Sequence, residues 1–118
     1  MSNTAPKLVQ NECEKHVQIE VPVEHFFAPG VYGRMMIAKA GTVLVGKTHK
    51  HAHLAMLLEG EVSIVSKYGT ATYKAPYIIN VNAGDKRAFA ALTDVKWITI
   101  HATDETDLQK LEQQLVEA

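Results

Sequence analysis

The stretch Gly46-Lys47-Thr48-His49-Lys50-His51-Ala52-His53, running on into Leu54-Ala55-Met56-Leu57-Leu58-Glu59-Gly60-Glu61-Val62, holds three of the six histidines of the chain at alternate positions. Side chains of an extended strand alternate between its two faces, so residues i, i+2 and i+4 share one face. A strand through this stretch would set His49, His51 and His53 on one side, directly ahead of an apolar run. Neutral imidazole is the commonest metal-binding side chain near neutral pH. The pattern predicts a mononuclear metal site if the strand lines a cavity. On a straight strand the Cα atoms of His49 and His53 would lie about 13 Å apart. A shared ion therefore requires a bend or inward-leaning side chains. The competing reading of the same residues is an exposed polar hairpin, with Lys50 on the opposite face.

Outward from this stretch, the chain reads as a succession of short strands. Residues 1–16 are polar and form an expected N-terminal arm. Val17, Ile19 and Val21 alternate with Gln18 and Glu20, a half-buried strand signal that Pro22 confines to a sheet edge or a strand end. Phe26 and Phe27 precede the turn Ala28-Pro29-Gly30, and Val31 to Ala38 is the next strand. Thr42 to Val45 leads to Gly46 and the histidines. Glu59-Gly60 turns into a strand over Glu61 to Ser66, and Lys67-Tyr68-Gly69-Thr70 reads as a hairpin turn. Ala71 to Lys74, Tyr77 to Val81, Arg87 to Leu92 and Lys96 to Ala102 follow, separated by Ala75-Pro76, Asn82-Ala83-Gly84-Asp85 and Thr93-Asp94. Turns every eight to twelve residues predict an all-β sandwich or barrel.

Residues 103–118 break that rhythm. Leu108, Leu111, Leu115 and Val116 form one apolar stripe at helical spacing. Thr106 and Gln109 match a capping box, and Asp104, Glu105 and Asp107 suit the positive end of a helix dipole. One C-terminal amphipathic helix is expected.

Composition narrows the classes. At 118 residues and a formal net charge of −1, the chain fits one domain and carries no electrostatic footprint for nucleic acid. It holds no like-charge block for a membrane surface, no secretory signal and no run that would span a bilayer. The single cysteine, Cys13, lies between Glu12 and Glu14, which would raise rather than lower its pKa. A cytosolic, reducing location is the expectation.

The histidine cluster, Leu58-Glu59-Gly60-Glu61-Val62 and, further on, Asn82-Ala83-Gly84 together resemble the two motifs of the cupin superfamily over roughly Val31 to His101. The resemblance implies a cupin-type jelly roll, a double-stranded β-sandwich or barrel over residues 17–102, with the C-terminal helix appended. Aligned on Leu58-Glu59-Gly60, His49 takes the place of the second histidine of the first motif and His53 that of its glutamate, with Lys47 where the first histidine would be. In the second motif Asn82 replaces proline and Arg87 replaces histidine. The three-histidine, one-glutamate set of the superfamily is thus altered. The chain looks more like small single-domain cupins encoded by tailed phages, on Phe27 to Arg34, Gly46 to Lys50, and Trp97 to Thr103.

The resulting expectations are specific. His49, His51 and His53 are candidate metal ligands, joined by His101, which shares its face of the last strand with Trp97 and Thr99. The ion would be zinc, iron, manganese or nickel, all of which accept imidazole. Arg87 is a candidate for holding an anionic ligand through its planar fork, with Tyr32 and Trp97 lining the pocket. The expected function is a metal-binding protein that holds a small, anionic molecule in the barrel. Catalysis as an oxygenase, isomerase or lyase, plain sequestration of a ligand, and a structural role without metal stay open. Exposed strand edges and the apolar stripe of the helix predict a homodimer.

Overall fold

A computed structural model describes residues 21–46 and 48–116. Among the described residues nine strands and one helix follow in order: β1 (Val23–Ala28), β2 (Val31–Ala38), β3 (Val43–Val45), β4 (His53–Glu59), β5 (Glu61–Ser66), β6 (Gly69–Lys74), β7 (Tyr77–Val81), β8 (Ala88–Ala91), β9 (Val95–Ala102) and α1 (Leu108–Leu115). They build two sheets, one of five strands in the order β1-β2-β9-β4-β7 and one of four in the order β3-β8-β5-β6. Every strand pairing is antiparallel. This is the all-β sandwich that the spacing of turns predicts, in the jelly-roll form that the cupin resemblance implies.

Alternation along the strands builds the interior. His53, Ala55 and Leu57 of β4 are buried, while Leu54 and Leu58 point away. Val62 and Ile64 of β5 face them from the other sheet, and with Ala38, Leu57, Ala91 and Val95 they make the central core. Partly buried Ile79, Phe89 and Trp97 pack against it. The turn after β4 depends on Gly60, whose φ of 90° lies in the left-handed region. A Cβ there would run into the carbonyl oxygen of Asp94, so only glycine lets the β4–β5 corner close against the loop before β9.

Several expectations need correction. The first described strand is Val23–Ala28, which begins just after Pro22 and uses residues expected to lead into a turn; Pro22 still anchors it by accepting the amide of Ile37 through its carbonyl. The expected strand through Val17 and Ile19 lies outside the described residues, and Val21 is not in a strand. The helix starts later than a Thr106 cap would set it. Asp107 is the N-cap, its side chain accepting the amide of Lys110 at 3.1 Å. An aspartate in place of the threonine satisfies the same free amide and adds charge beside the positive helix end.

Most of the apolar stripe of α1 packs inward, while Leu108 stays 49 % exposed. Leu111 and Leu115 bury against Tyr32, with Val116 beside them. Through these residues the helix packs across one end of the barrel.

Candidate metal centre

The histidines do not share one straight strand. β4 begins only at His53, Lys50 and His51 lie in a bend, and His49 forms an isolated antiparallel bridge with Val116. The bend solves the reach problem that a straight strand poses: it brings the His49 and His53 rings to a centroid separation of 4.3 Å. It also removes His51 from the set. The His51 side chain is exposed and its ring is not among those that converge, a correction to the alternation argument, which holds only where the chain is extended.

His101 enters from β9. Its ring lies 4.6 Å from that of His53 and 5.3 Å from that of His49. One ring nitrogen from each of His49, His53 and His101 falls within 4.8 Å of the others. A tetrahedral ion with nitrogens at 2.0–2.1 Å would set them about 3.4 Å apart, a closure that side-chain rotation supplies.

The polar partners of these rings suit metal binding. His53 donates from Nδ1 to the His51 carbonyl at 3.2 Å, which leaves the Nε2 lone pair free. His101 Nε2 lies 3.0 Å from the Thr99 hydroxyl; when that nitrogen donates, the Nδ1 lone pair is the free one. Such bonds from the far ring nitrogen orient a ligating imidazole. His49 is positioned by its main chain, with the amide of Gly84 donating to its carbonyl at 2.9 Å and Val116 bridging on the other side.

His53 and His101 are also held neutral, the form that ligates. Burial pushes the His101 imidazole down to about 3, helped by the neighbouring His53 and His49 and by Arg34. Burial lowers His53 as well, against its bond to the His51 carbonyl, and the Arg87 guanidinium adds to the lowering.

These rings line a cavity of about 710 Å³. Tyr32, Arg34, Arg87 and Trp97 also line it, so the three expected ligand-lining residues all face the same space. Trp97 stacks on Phe89 at 6.1 Å, in the part of the cavity next to the core. Tyr32, only 4 % exposed, stacks on His101 at 6.0 Å and on Phe27 at 5.2 Å. Burial raises the Tyr32 phenol above its ordinary value, partly offset by Arg34.

Two residues of the site were not anticipated. His25 lines the cavity and places Nδ1 2.7 Å from the Tyr32 hydroxyl. Asp85 is the other. Its side chain is 2 % exposed, with Lys67 Nζ 3.2 Å from Oδ1 and Arg87 Nη2 3.7 Å from Oδ2. Neither carboxylate oxygen has a well-aligned hydrogen bond among the described residues, so the two cations are its compensation. The signal for Asp85 was its position two residues before Arg87. For His25 it was the shared face with Val23 on a strand whose partner carries Tyr32 and Arg34.

Two facing antiparallel sheets, a helix across one end and an inward histidine cluster define a cupin-type barrel. Solved structures share that architecture. A cupin superfamily protein from Desulfitobacterium hafniense is 16 % identical with a TM-score of 0.61, over 75 % of this chain and 83 % of that one. The Cnp3 cupin domain of Schizosaccharomyces pombe is 16 % identical with a TM-score of 0.60, over 84 % and 74 %. The EutQ protein of Clostridium difficile is 16 % identical with a TM-score of 0.59, over 73 % and 70 %. At such identities the likeness is one of fold. They come from bacteria and a yeast and carry no sign of the likeness to phage proteins. No protein-family model matches the sequence, and no curated protein sequence matches it either. Among the described residues, no helix is long and apolar enough to cross a membrane.

Proposed function

We propose that this protein binds one divalent metal ion through His49, His53 and His101 and holds a small anionic molecule beside it, against Arg87. The observation that carries the reading is the convergence of three imidazoles, from three separate segments, on one point of a cavity, with His53 and His101 held neutral by burial. Three imidazoles leave coordination positions open, as sites that take up an exogenous ligand do. A bound ion would supply Lewis acidity to that ligand. Zinc, iron, manganese and nickel all fit an all-nitrogen set.

Arg87 and Arg34 add positive charge around the rings, as their effect on His53 and His101 records. Positive charge disfavours a further cation and favours an anion. Arg87 is half-anchored: Asp85 holds one side of the guanidinium, leaving the rest of its fork to a ligand.

Retention of the ligand without turnover is the form of this function that the site favours. Asp85, the buried carboxylate lining the cavity, is already engaged as the counter-ion of Lys67 and Arg87. The decisive experiment is metal analysis of tag-free protein, followed by incubation with a mixture of small carboxylates and phosphates. About one metal per chain and stoichiometric retention of an anion support the proposal. Metal-free protein after exposure to all four ions overturns it, and consumption of the anion would replace binding by an oxygenase, isomerase or lyase activity.

A further inference from the structure

Away from the histidine rings the cavity changes character. Along the inward face of β9 the order is His101, Thr99, Trp97, and along the paired strand β2 it is Tyr32, Arg34, Met36. The two strands pass from polar to apolar in step, over four residue steps of ~3.4 Å, or about 13 Å. The facing sheet repeats the gradient. Arg87 stands just ahead of β8, and Phe89, two residues on, lies between Leu44 of β3 and Ile64 of β5 in one cross-strand row. All of these residues line the same space of about 710 Å³. Phe89, Trp97 and Leu44 line it and yet are only half-buried, so apolar surface is left uncovered at this end.

We infer that the anion is amphipathic: a monocarboxylate whose head sits at Arg87 and the histidine-bound ion, and whose hydrocarbon tail lies along the wall of Trp97, Phe89 and Leu44. The inference rests on the anion reading above and narrows it to a class. Volume is the first argument. The cavity falls within the range of about 300–1,000 Å³ that suits whole organic ligands. Inorganic phosphate or acetate would leave most of it unfilled, and an unfilled apolar wall forfeits its dispersion contacts. Chemistry is the second. Among Met36, Trp97, Phe89, Leu44 and Ile64 the only N–H or O–H donor is the Trp97 indole. A sugar or nucleoside body would bury hydroxyls there without partners, at a penalty that a hydrocarbon body avoids. Charge is the third. Arg34 is exposed and lines the cavity, so it stands at the mouth, where a cation draws anions in. The fork of Arg87 matches the plane of a carboxylate. A dicarboxylate charged at both ends would press its second charge against the apolar wall, which favours a single head.

Titration calorimetry of the full chain, after exposure to zinc and with bound metal counted, tests the inference. Each methylene buried at the apolar end should tighten binding about fourfold. Hexanoate, four methylenes longer than acetate, should therefore bind about a hundredfold more tightly than acetate. Hexanol, with the same tail and no charge, should bind at least about tenfold more weakly than hexanoate. Leu44→Gln should cut the preference for hexanoate over acetate about tenfold, and the ranking on the unmodified chain stands as the test if that variant fails to fold. Acetate or inorganic phosphate bound as tightly as hexanoate overturns the inference and leaves the anion reading in place. Tighter binding of adenosine monophosphate or ribose phosphate than of hexanoate does the same. Hexanoate bound by protein that takes up no zinc sustains the tail site and counts only against the metal. Failure to bind any of these anions overturns both readings.

Discussion

His53 on β4 and His101 on the adjacent β9 stand with their rings 4.6 Å apart, both withdrawn from water. Two imidazolium ions could not share that space, so the pair is stable only while neutral.

Acid should therefore weaken the metal-free protein through this pair. Both folded-state pKa values are depressed, His101 to about 3. Between that value and the ordinary 6.5, the unfolded chain binds more protons than the folded one. For His101 the stabilisation is complete above pH 6.5 and is lost as pH falls toward 3, at up to about 1.4 kcal/mol per pH unit, and His53 acts in the same direction. Thermal melts should fall steadily below pH 6.5, and His101→Gln should flatten that slope. An unchanged slope in the variant would show that the pair is not responsible.

Metal content should separate the histidines that alternation groups together. His53→Ala should lower bound metal to well under one per chain with the fold retained, whereas His51→Ala should leave it intact. Equal losses in both variants would restore the straight-strand reading.

Anion binding should depend on the shape of Arg87 and on its anchor. Arg87→Lys keeps the charge but loses the fork; affinity of the metal-loaded protein for inorganic phosphate should fall about tenfold. Asp85→Asn should also weaken binding by freeing the guanidinium, and should destabilise the fold by about 1–3 kcal/mol. Phosphate affinity indifferent to both substitutions would place Arg87 outside the ligand site.

Tyr32 joins the cluster to the helix, and two substitutions divide its roles. Tyr32→Phe removes only the bond to His25 and should cost about 1 kcal/mol. Leu111→Ala, which hollows the helix contact with Tyr32, should cost about 2–5 kcal/mol and loosen His49 as well. Chemical denaturation measures both, and a larger loss for Tyr32→Phe than for Leu111→Ala would reverse the order of importance.

Much of this was legible from residue order. Val31 to Ala38 and Tyr77 to Val81 stand in the structure as their alternation predicts. The Lys67-Tyr68 turn between β5 and β6 also forms where expected, with Gly69 at φ 114° pairing with Ser66. His49, His53 and His101 are brought together, but for a reason the alternation did not contain. A bend at Lys50 and His51, tied down by Leu115 and Gln113, replaces the strand. Such tertiary anchors have no local signature. The same limit hid β1, whose Phe26 and Phe27 look like the approach to a turn until β2 is laid against them. It also hid Asp85, whose burial makes sense only once Lys67 from another hairpin arrives.

One practical matter follows from the bridge between His49 and Val116. The amide of Lys50 donates to the Leu115 carbonyl at 2.8 Å, so the last turn of α1 and the first histidine segment are stitched together. An affinity handle or fluorescent label spliced on just beyond that helix would tug directly at the His49 segment, and an oligohistidine handle there would compete for the very ion under study. Purification and labelling strategies should leave that end bare.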